Sequence, residues 1–202
     1  MTHAAEQARP DVQQARQEFR AAQEFLDPAR LVFIDETAAT TNVTRRYGRA
    51  PIGERVVEAV PFGHYKRTTF VSALRHDGLS AAMTVDGSMN GDLFVAYVEQ
   101  VLLPELKVGD VVVLDNLAAH KRAEARELIE SAGCALIFLP PYSPDLSPIE
   151  NAYSKLKALL RKAKRRTVDG LRALLFETLD AFKPQECANF FAHCGYSATP
   201  TS

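Results

Sequence analysis

Three acidic residues of this sequence follow short apolar runs at corresponding places. Asp35 and Asp115 each come directly after four apolar residues, and Glu150 opens a helical stretch that follows a third apolar run and its loop. The carboxyl ends of buried strands line the crevice where α/β sheets hold their ligands. We therefore expect the three carboxylates to face one cleft.

Three like charges in a low-dielectric cleft raise each other's pKa, so a positive partner is needed. Oxygen-rich, carboxylate-lined sites suit Mg²⁺, with Mn²⁺ as a substitute. Two such ions about 3.5–4 Å apart can clamp an in-line phosphoryl displacement. The sequence thus predicts that Asp35, Asp115 and Glu150 bind a pair of divalent cations and catalyse phosphoryl transfer.

Each of these residues also has a simpler local interpretation. An aspartate after a strand is often a turn former that accepts from the next backbone N–H groups. Ser147, Pro148 and Glu150 match a capping box, in which Glu150 would reach back to the first turn of its helix. The conjunction of all three sites favours the metal-binding interpretation.

Apolar patterning predicts the elements that position these residues. The antiparallel strands of a meander and two strands buried on both faces are expected. The predicted strands are residues 31–34, 55–60, 66–75, 79–85, 111–114 and 135–139. The predicted helices are residues 10–26, 93–102, 119–132, a long one from about 147, and 168–182.

The alternation of strands and helices in the second half implies parallel pairing with right-handed crossovers. We predict an α/β, ribonuclease-H-like fold: a five-stranded mixed sheet, three strands antiparallel and then two parallel, flanked by helices. The predicted divisions are a largely solvated helical arm at 1–29, a catalytic domain at 30–183, and a C-terminal helix and tail at 184–202.

Composition limits the class of protein. The 202 residues carry a net charge of −1, so only the distribution of charge can indicate a polyanionic partner. No apolar run approaches the roughly 20 residues of a membrane span, and the polar N-terminus has no signal core. Three cysteines without close pairs indicate a reducing compartment. We predict a cytoplasmic protein with no membrane partner.

Three segments together resemble a known family. They are FIDET (33–37), VVLDNLAAHK (112–121) and LPPYSPDLSPIEN (139–151). They are similar to the catalytic blocks of the DDE transposases, above all the bacterial insertion-sequence branch of the mariner-type superfamily. Thirty-four residues separate Asp115 from Glu150, the spacing that the resemblance requires for a third glutamate.

The resemblance implies that Asp35, Asp115 and Glu150 are the metal-binding triad of a DNA endonuclease and strand transferase. It matches Asn116, His120, Asp145 and Asn151 to accompanying positions around that triad. His120 could face the cleft and touch a phosphate, or be a surface or capping residue. The resemblance further implies Mg²⁺ as cofactor, double-stranded DNA as substrate, both transposon ends and target, and a homodimer on that DNA. A bacterial, nucleoid-associated protein is expected.

Basic residues are concentrated after Glu150 and in a turn-rich segment after Asp35. Between Lys155 and Arg166 the sequence has seven basic residues and no acidic one. Such residues could bind backbone phosphates or could simply be a solvated helix face. The predicted DNA contacts are Arg45, Arg46, Arg49, Lys155, Arg161, Lys162, Lys164, Arg165 and Arg166.

The chain departs from the family in one respect. Only thirty-four residues precede Asp35, and they lack a helix-turn-helix pattern. We therefore expect a catalytic half: the second frame of a split element, a truncated copy or an excised piece. Two rival hypotheses are a ribonuclease-H-type nuclease or resolvase, and an inactive or repurposed fragment that only binds DNA or itself.

Overall fold

One mixed β-sheet organises the chain, of which the structure, a computed structural model, describes residues 5–44, 48–57 and 65–197. The strands are β1 (Leu31–Thr40), β2 (Arg67–Arg75), β3 (Gly78–Asp86), β4 (Val111–Leu114) and β5 (Ala135–Phe138). Their order in the sheet is β3-β2-β1-β4-β5. The pairs of β1 with β2 and of β2 with β3 are antiparallel, whereas β4 pairs in parallel with β1 and β5. The predicted ribonuclease-H-like layout is confirmed.

Two apolar layers cover the faces of this sheet. Alternate residues of a strand point to opposite faces, so Phe33 packs in one layer and Ile34 in the other. Phe33 meets the rings of Phe191 and Tyr196 edge-on, at 5.4 and 5.1 Å between centroids. Strands β1 and β4 are thus buried on both sides, as their uninterrupted apolar runs predict.

The strand predicted at 55–60 is wrong over its described part. Residues 55–57 lie in no strand and are exposed to solvent, and residues 58–60 lie outside the described residues. The reason is the length of β1, which continues to Thr40 and pairs with β2 from Phe33 onward. Because β2 takes the antiparallel edge of β1, no place beside β1 is left for a strand at 55–60.

Six helices flank the sheet in the described part of the chain. They are α1 (Pro10–Gln23), α2 (Gly91–Tyr97), α3 (Ala123–Ser131), α4 (Pro148–Ala163), α5 (Val168–Glu177) and α6 (Pro184–His193). A π-helical turn, Val98–Leu102, extends α2. The helix predicted at 119–132 is instead a 3₁₀ turn, Ala118–Lys121, followed by α3. Within the described ranges, no helix has the length and apolarity to cross a bilayer.

Helix α1 packs against the rest of the chain along one edge, although most of its residues are exposed, as predicted for a solvated arm. Val12 and Gln23 are buried, and the Gln23 side chain donates to the carbonyl of Cys194 at 2.7 Å. Arg16 donates two hydrogen bonds to the Asp145 carboxylate, at 2.9 and 2.7 Å. Since Asp145 lies in the loop between β5 and α4, α1 braces the segment that leads to Glu150.

Candidate active site

The strand register places Asp35 and Asp115 side by side. The parallel pairing of β1 with β4 aligns Phe33 with Val113. Two residues further along each chain come Asp35 and Asp115, at the same level and on the same side of the sheet. Asp35 lies inside β1 rather than after its end, because β1 runs on while β4 stops at Leu114.

Helix α4 brings Glu150 over these two aspartates. Tyr153, one turn further along α4, donates its hydroxyl to the backbone carbonyl of Asp35 and lies 3.1 Å from the Ser72 hydroxyl. Ser72 is the β2 residue that faces Asp35 across the sheet. This buried tyrosine ties the first turn of α4 to β1 at the position of the first carboxylate.

The capping interpretation of Glu150 is not supported. The Ser147 side chain makes no cap hydrogen bond. Its backbone N–H, from which a capping glutamate would accept a hydrogen bond, donates instead to the Pro144 carbonyl at 3.1 Å. Glu150 instead lines a cleft of about 670 Å³ together with Asp35 and Asp115. The structure therefore brings the three predicted carboxylates to one cleft.

The electrostatics of this cleft show a shortage of positive charge. Burial raises the pKa of Asp35 to about 7, and the negative charges of Glu150, Glu36 and Asp115 add to the rise. The backbone N–H of Glu36, which donates to Asp35 at 2.7 Å, offsets only part of it. A buried carboxylate with such neighbours favours a bound proton or a bound cation.

A buried histidine bonds to two of the carboxylates of this cleft. His120 is fully buried and lies between two carboxylates, with Nδ1 2.6 Å from Asp115 and Nε2 3.0 Å from Glu36. Burial alone would lower the pKa of His120, but its hydrogen bonds to Asp115 and Glu36 raise it to about 9. Both ring nitrogens are engaged, so His120 is neither a surface nor a capping residue and cannot touch a phosphate in this arrangement.

The donor chemistry of the cleft suits a divalent cation. Carboxylate oxygens are the ligands that Mg²⁺ and Mn²⁺ prefer, and the raised pKa of Asp35 marks the missing positive charge. Within the described residues, however, no three acidic, histidine or cysteine side chains are already gathered around one point. Asp115 directs one oxygen to His120 and to the Leu117 N–H. The three carboxylates thus lie around one cleft, and their role as a metal-binding triad stays a prediction.

The accompanying residues fall into two groups. Asn116 is exposed and lines the cleft, and His120 supports Asp115 from behind. Asp145 points to Arg16 and Arg20 of α1, and the Asn151 amide lies 3.5 Å from the Cys194 sulfur. Both therefore hold the loop and α4 against the termini instead of contacting the carboxylates.

Two of the predicted DNA contacts are already engaged within the protein. Lys155 pairs with Glu186, donates to the Ala181 carbonyl and lies over the Phe182 ring, so its charge is satisfied between helices. Arg166 donates to the carbonyls of Thr41 and Val43. The Glu186 carboxylate thus already compensates the charge of Lys155, whose contact with DNA stays an untested prediction.

The other predicted contacts remain on the surface where the structure describes them. Arg161, Lys162, Lys164 and Arg165 are exposed around the end of α4, and Arg49 is exposed after β1. Arg45 and Arg46 lie outside the described residues. Lys164 ends α4 in a left-handed conformation, with φ of 54°.

Several residues of the cleft were not predicted. Lys121 and Lys157 line it, and Lys157 lies seven residues after Glu150, so helical periodicity could have found it. Glu36 was missed because strand alternation assigns it to the face of β1 opposite Asp35, although it lines the same cleft. Its partner His120 is 84 residues away, and no sequence pattern links the two.

Comparisons with known proteins identify the family and the fold. A profile of the family described as DDE superfamily endonuclease matches residues 30–172. A search of curated proteins gave no match. The structure of the catalytic domain of Mos1 mariner transposase is similar, with a TM-score of 0.70 and 13% identity, covering 96% of this chain and 91% of that one.

Larger assemblies of the same transposase are also similar. The Mos1 strand transfer complex gives a TM-score of 0.76 at 14% identity, covering 96% of this chain and 60% of that one. The Mos1 paired-end complex with Mn gives 0.75 at 15%, covering 91% and 58%. At these identities the likeness shows the fold, and this chain spans about three-fifths of the chains in those complexes.

Proposed function

Because the chain belongs to the DDE superfamily of endonucleases, we propose that it is the catalytic domain of a DNA transposase that cleaves and transfers DNA strands during movement of an insertion sequence. The observation that carries this proposal is the meeting of Asp35, Asp115 and Glu150 in one cleft. Similar transposase chains were solved as paired-end and strand transfer complexes, which supports DNA as the substrate.

The proposed chemistry has two displacements at phosphorus. In the first, water attacks a phosphodiester, the bond from phosphorus to the 3′ oxygen breaks, and a 3′-hydroxyl and a 5′-phosphate remain. In the second, that 3′-hydroxyl attacks a target phosphodiester and displaces another 3′ oxygen. Divalent cations held by Asp35, Asp115 and Glu150 would supply activation of the attacking oxygen and stabilisation of the leaving one. The Mos1 structures with Mg and Mn support such metal use.

The protein's own groups position these carboxylates and the DNA. His120 fixes the orientation of Asp115, and Tyr153 fixes the start of α4, and hence Glu150, relative to Asp35. Lys121 and Lys157 supply positive charge at the wall of the cleft, where phosphates would lie. Holding the reacting groups in place is itself a large part of such catalysis.

The exposed cations around the end of α4, together with Arg49, are proposed to contact the DNA backbone. Backbone contacts position a duplex without reading its bases. Binding should therefore be weak, salt-sensitive and nearly indifferent to sequence. Binding to one duplex sequence far more tightly than to random DNA would contradict this. A dimer on DNA and a place in the bacterial nucleoid belong to the same proposal.

A nicking assay tests the proposed function. Supercoiled duplex DNA is incubated with the protein and Mn²⁺ or Mg²⁺, and the wild type is compared with Asp115→Asn. We expect metal-dependent nicking by the wild type and a loss of about a hundred- to a thousandfold in the variant, as for removal of a principal electrostatic group. Retained nicking by Asp115→Asn would overturn the assignment.

The matched control is Asp86→Asn, an exposed aspartate at the end of β3 that pairs with Arg172 outside the cleft. It should nick like the wild type. Cleavage of RNA–DNA hybrids in preference to duplex DNA would favour a ribonuclease-H-type nuclease instead. DNA binding without nicking in either metal would favour the inactive fragment.

A further inference from the structure

Tyr142 has a backbone conformation that side chains rarely adopt. It lies in the loop between β5 and α4 with φ of 55°, in the left-handed region that favours glycine. Strained residues of this kind cluster at active sites and ligand clamps, where the surrounding structure over-determines them. Tyr142 lines the same cleft as Asp35, Asp115 and Glu150.

The strained loop is held by specific contacts. The Gln7 side chain donates to the Tyr142 carbonyl, and Arg16 of α1 donates to the Ser143 hydroxyl at 2.7 Å. The Ser143 hydroxyl in turn donates to the Pro141 carbonyl at 3.1 Å. Tyr142 is therefore fixed from the N-terminal segment and from its own loop, so its position is not a consequence of a loose surface turn.

The ring of Tyr142 has no role in the core. Tyr97, Tyr153 and Tyr196 are buried and bond their hydroxyls to backbone carbonyls. Tyr142 is 46% exposed, and Leu117, two residues after Asp115, is also half-exposed in the same cleft. A flat aromatic surface and an aliphatic side chain thus flank the carboxylates and leave an apolar surface open to a ligand.

We propose that Tyr142 is a stacking platform for a nucleobase next to the phosphate that is cleaved. This inference rests on the proposed function, since the carboxylate cleft must hold a DNA strand. Aromatic side chains stack on any base through its π-face, with little dependence on sequence. Stacking would hold the strand against the cleft while lysines and carboxylates engage its phosphate.

Photocrosslinking tests the contact directly. Duplex DNA with 5-iodouracil in place of thymine is bound, irradiated at a wavelength that excites only the halogenated base, and the crosslinked residues are mapped by mass spectrometry. The expected main crosslink is at Tyr142. Tyr65 is the matched control, because it is a tyrosine of similar exposure, 56%, that is not among the cleft residues. Equal labelling of Tyr65 and Tyr142, or none at Tyr142, would overturn the proposal.

The Tyr142→Gly variant tests the contribution of the ring to activity without a loss of stability. Glycine accepts the left-handed conformation, so this variant should melt at or above the wild-type temperature. We expect its nicking rate to fall about tenfold, with Tyr142→Phe close to the wild type. An unchanged rate in Tyr142→Gly would refute the inference even if nicking itself is confirmed. A wild type that crosslinks at Tyr142 without nicking would refute the proposed function and leave Tyr142 only as a base contact in DNA binding.

Discussion

The two ends of strand β4 carry aspartates in opposite electrostatic situations. Asp110, just before the strand, is buried and accepts from the Arg75 guanidinium at 2.6 Å and from the Lys107 N–H at 2.8 Å. Asp115, just after it, shares its surroundings with other carboxylates and one histidine. Burial favours a neutral carboxyl at Asp110, but Arg75 and the Lys107 N–H hold its pKa below the ordinary value.

The comparison separates a structural ion pair from a binding site. At Asp110 one anion meets one cation, and both are satisfied within the protein. At the other end the carboxylates of Asp35, Glu36, Asp115 and Glu150 share one cleft, in which His120 bonds to Asp115 and Glu36, whereas Asp35 has no cationic hydrogen-bond partner among the described residues and keeps a raised pKa. Uncompensated charge in a cleft costs stability and is a physical indication of a functional site.

The largest expected effect is on stability at the Asp110 end. Asp110→Asn leaves the Arg75 guanidinium, 12% exposed, without its carboxylate. Breaking a buried pair by removing one partner costs about 3–5 kcal/mol of unfolding free energy. Urea unfolding followed by circular dichroism measures it, and nicking below the transition should persist.

Two variants make this prediction specific. Glu130→Gln removes the exposed α3 pair with Arg126 and should cost less than about 1 kcal/mol. Glu150→Gln removes a charge that raises the pKa of Asp35, so in the presence of a chelator it should stabilise the protein. If Glu150→Gln destabilises the protein as much as Asp110→Asn does, the carboxylates at the two ends of β4 do not differ in how well their charges are compensated.

A smaller effect is expected for the histidine behind Asp115. His120→Asn removes the bond to the Glu36 carboxylate and loosens that to Asp115. Loss of a group that orients a metal-binding side chain typically costs about 10–100-fold in metal affinity or activity. We expect a higher Mn²⁺ concentration at half-maximal nicking. His193→Asn, an exposed histidine at the end of α6, should behave like the wild type. Unchanged metal dependence in His120→Asn would mean that His120 only fills space.

Sequence predicted the level of the sheet at which the carboxylates meet. The four-residue apolar run of β4 ends directly before Asp115, which therefore lies at the end of the sheet. Because β1 pairs in parallel with β4, Asp35 lies at the same level. Such local patterns are read from neighbouring residues, which is also why α4 and α6 were found.

Contacts between residues far apart in the sequence could not be predicted from such local patterns. Arg16 meets Asp145 129 residues away, and the thin apolar pattern of α1 gives no sign that it docks. Val56 and Val57 have strand-like composition but no partner strand, since pairing with β2 already occupies β1. Local propensity is overridden wherever the tertiary structure has no place for the element.

A pH dependence of opposite sign is expected at the two ends of β4. The pKa of folded Asp35 is raised to about 7, so the folded state keeps a proton that the unfolded chain releases near its ordinary pKa of about 4. Asp35 therefore lowers metal-free stability as pH rises from about 4 to about 7. The pKa of Asp110 is lowered, so its contribution is present above about pH 4 and is lost as pH falls through the folded value.

Thermal midpoints of three proteins in a chelating buffer resolve the two contributions. Asp35→Asn should match the wild type near pH 4 and melt on the order of ten degrees higher above about pH 7, because only the wild type then carries the buried charge. The deficit of Asp110→Asn should be constant above about pH 5 and shrink on further acidification. Divalent metal should remove the advantage of Asp35→Asn, because a bound cation compensates the wild-type carboxylate. If the thermal midpoints of Asp35→Asn and the wild type changed in parallel with pH, the pKa of Asp35 would not be raised in the folded protein. The contrast between the two ends of β4 would then rest on Asp110 alone.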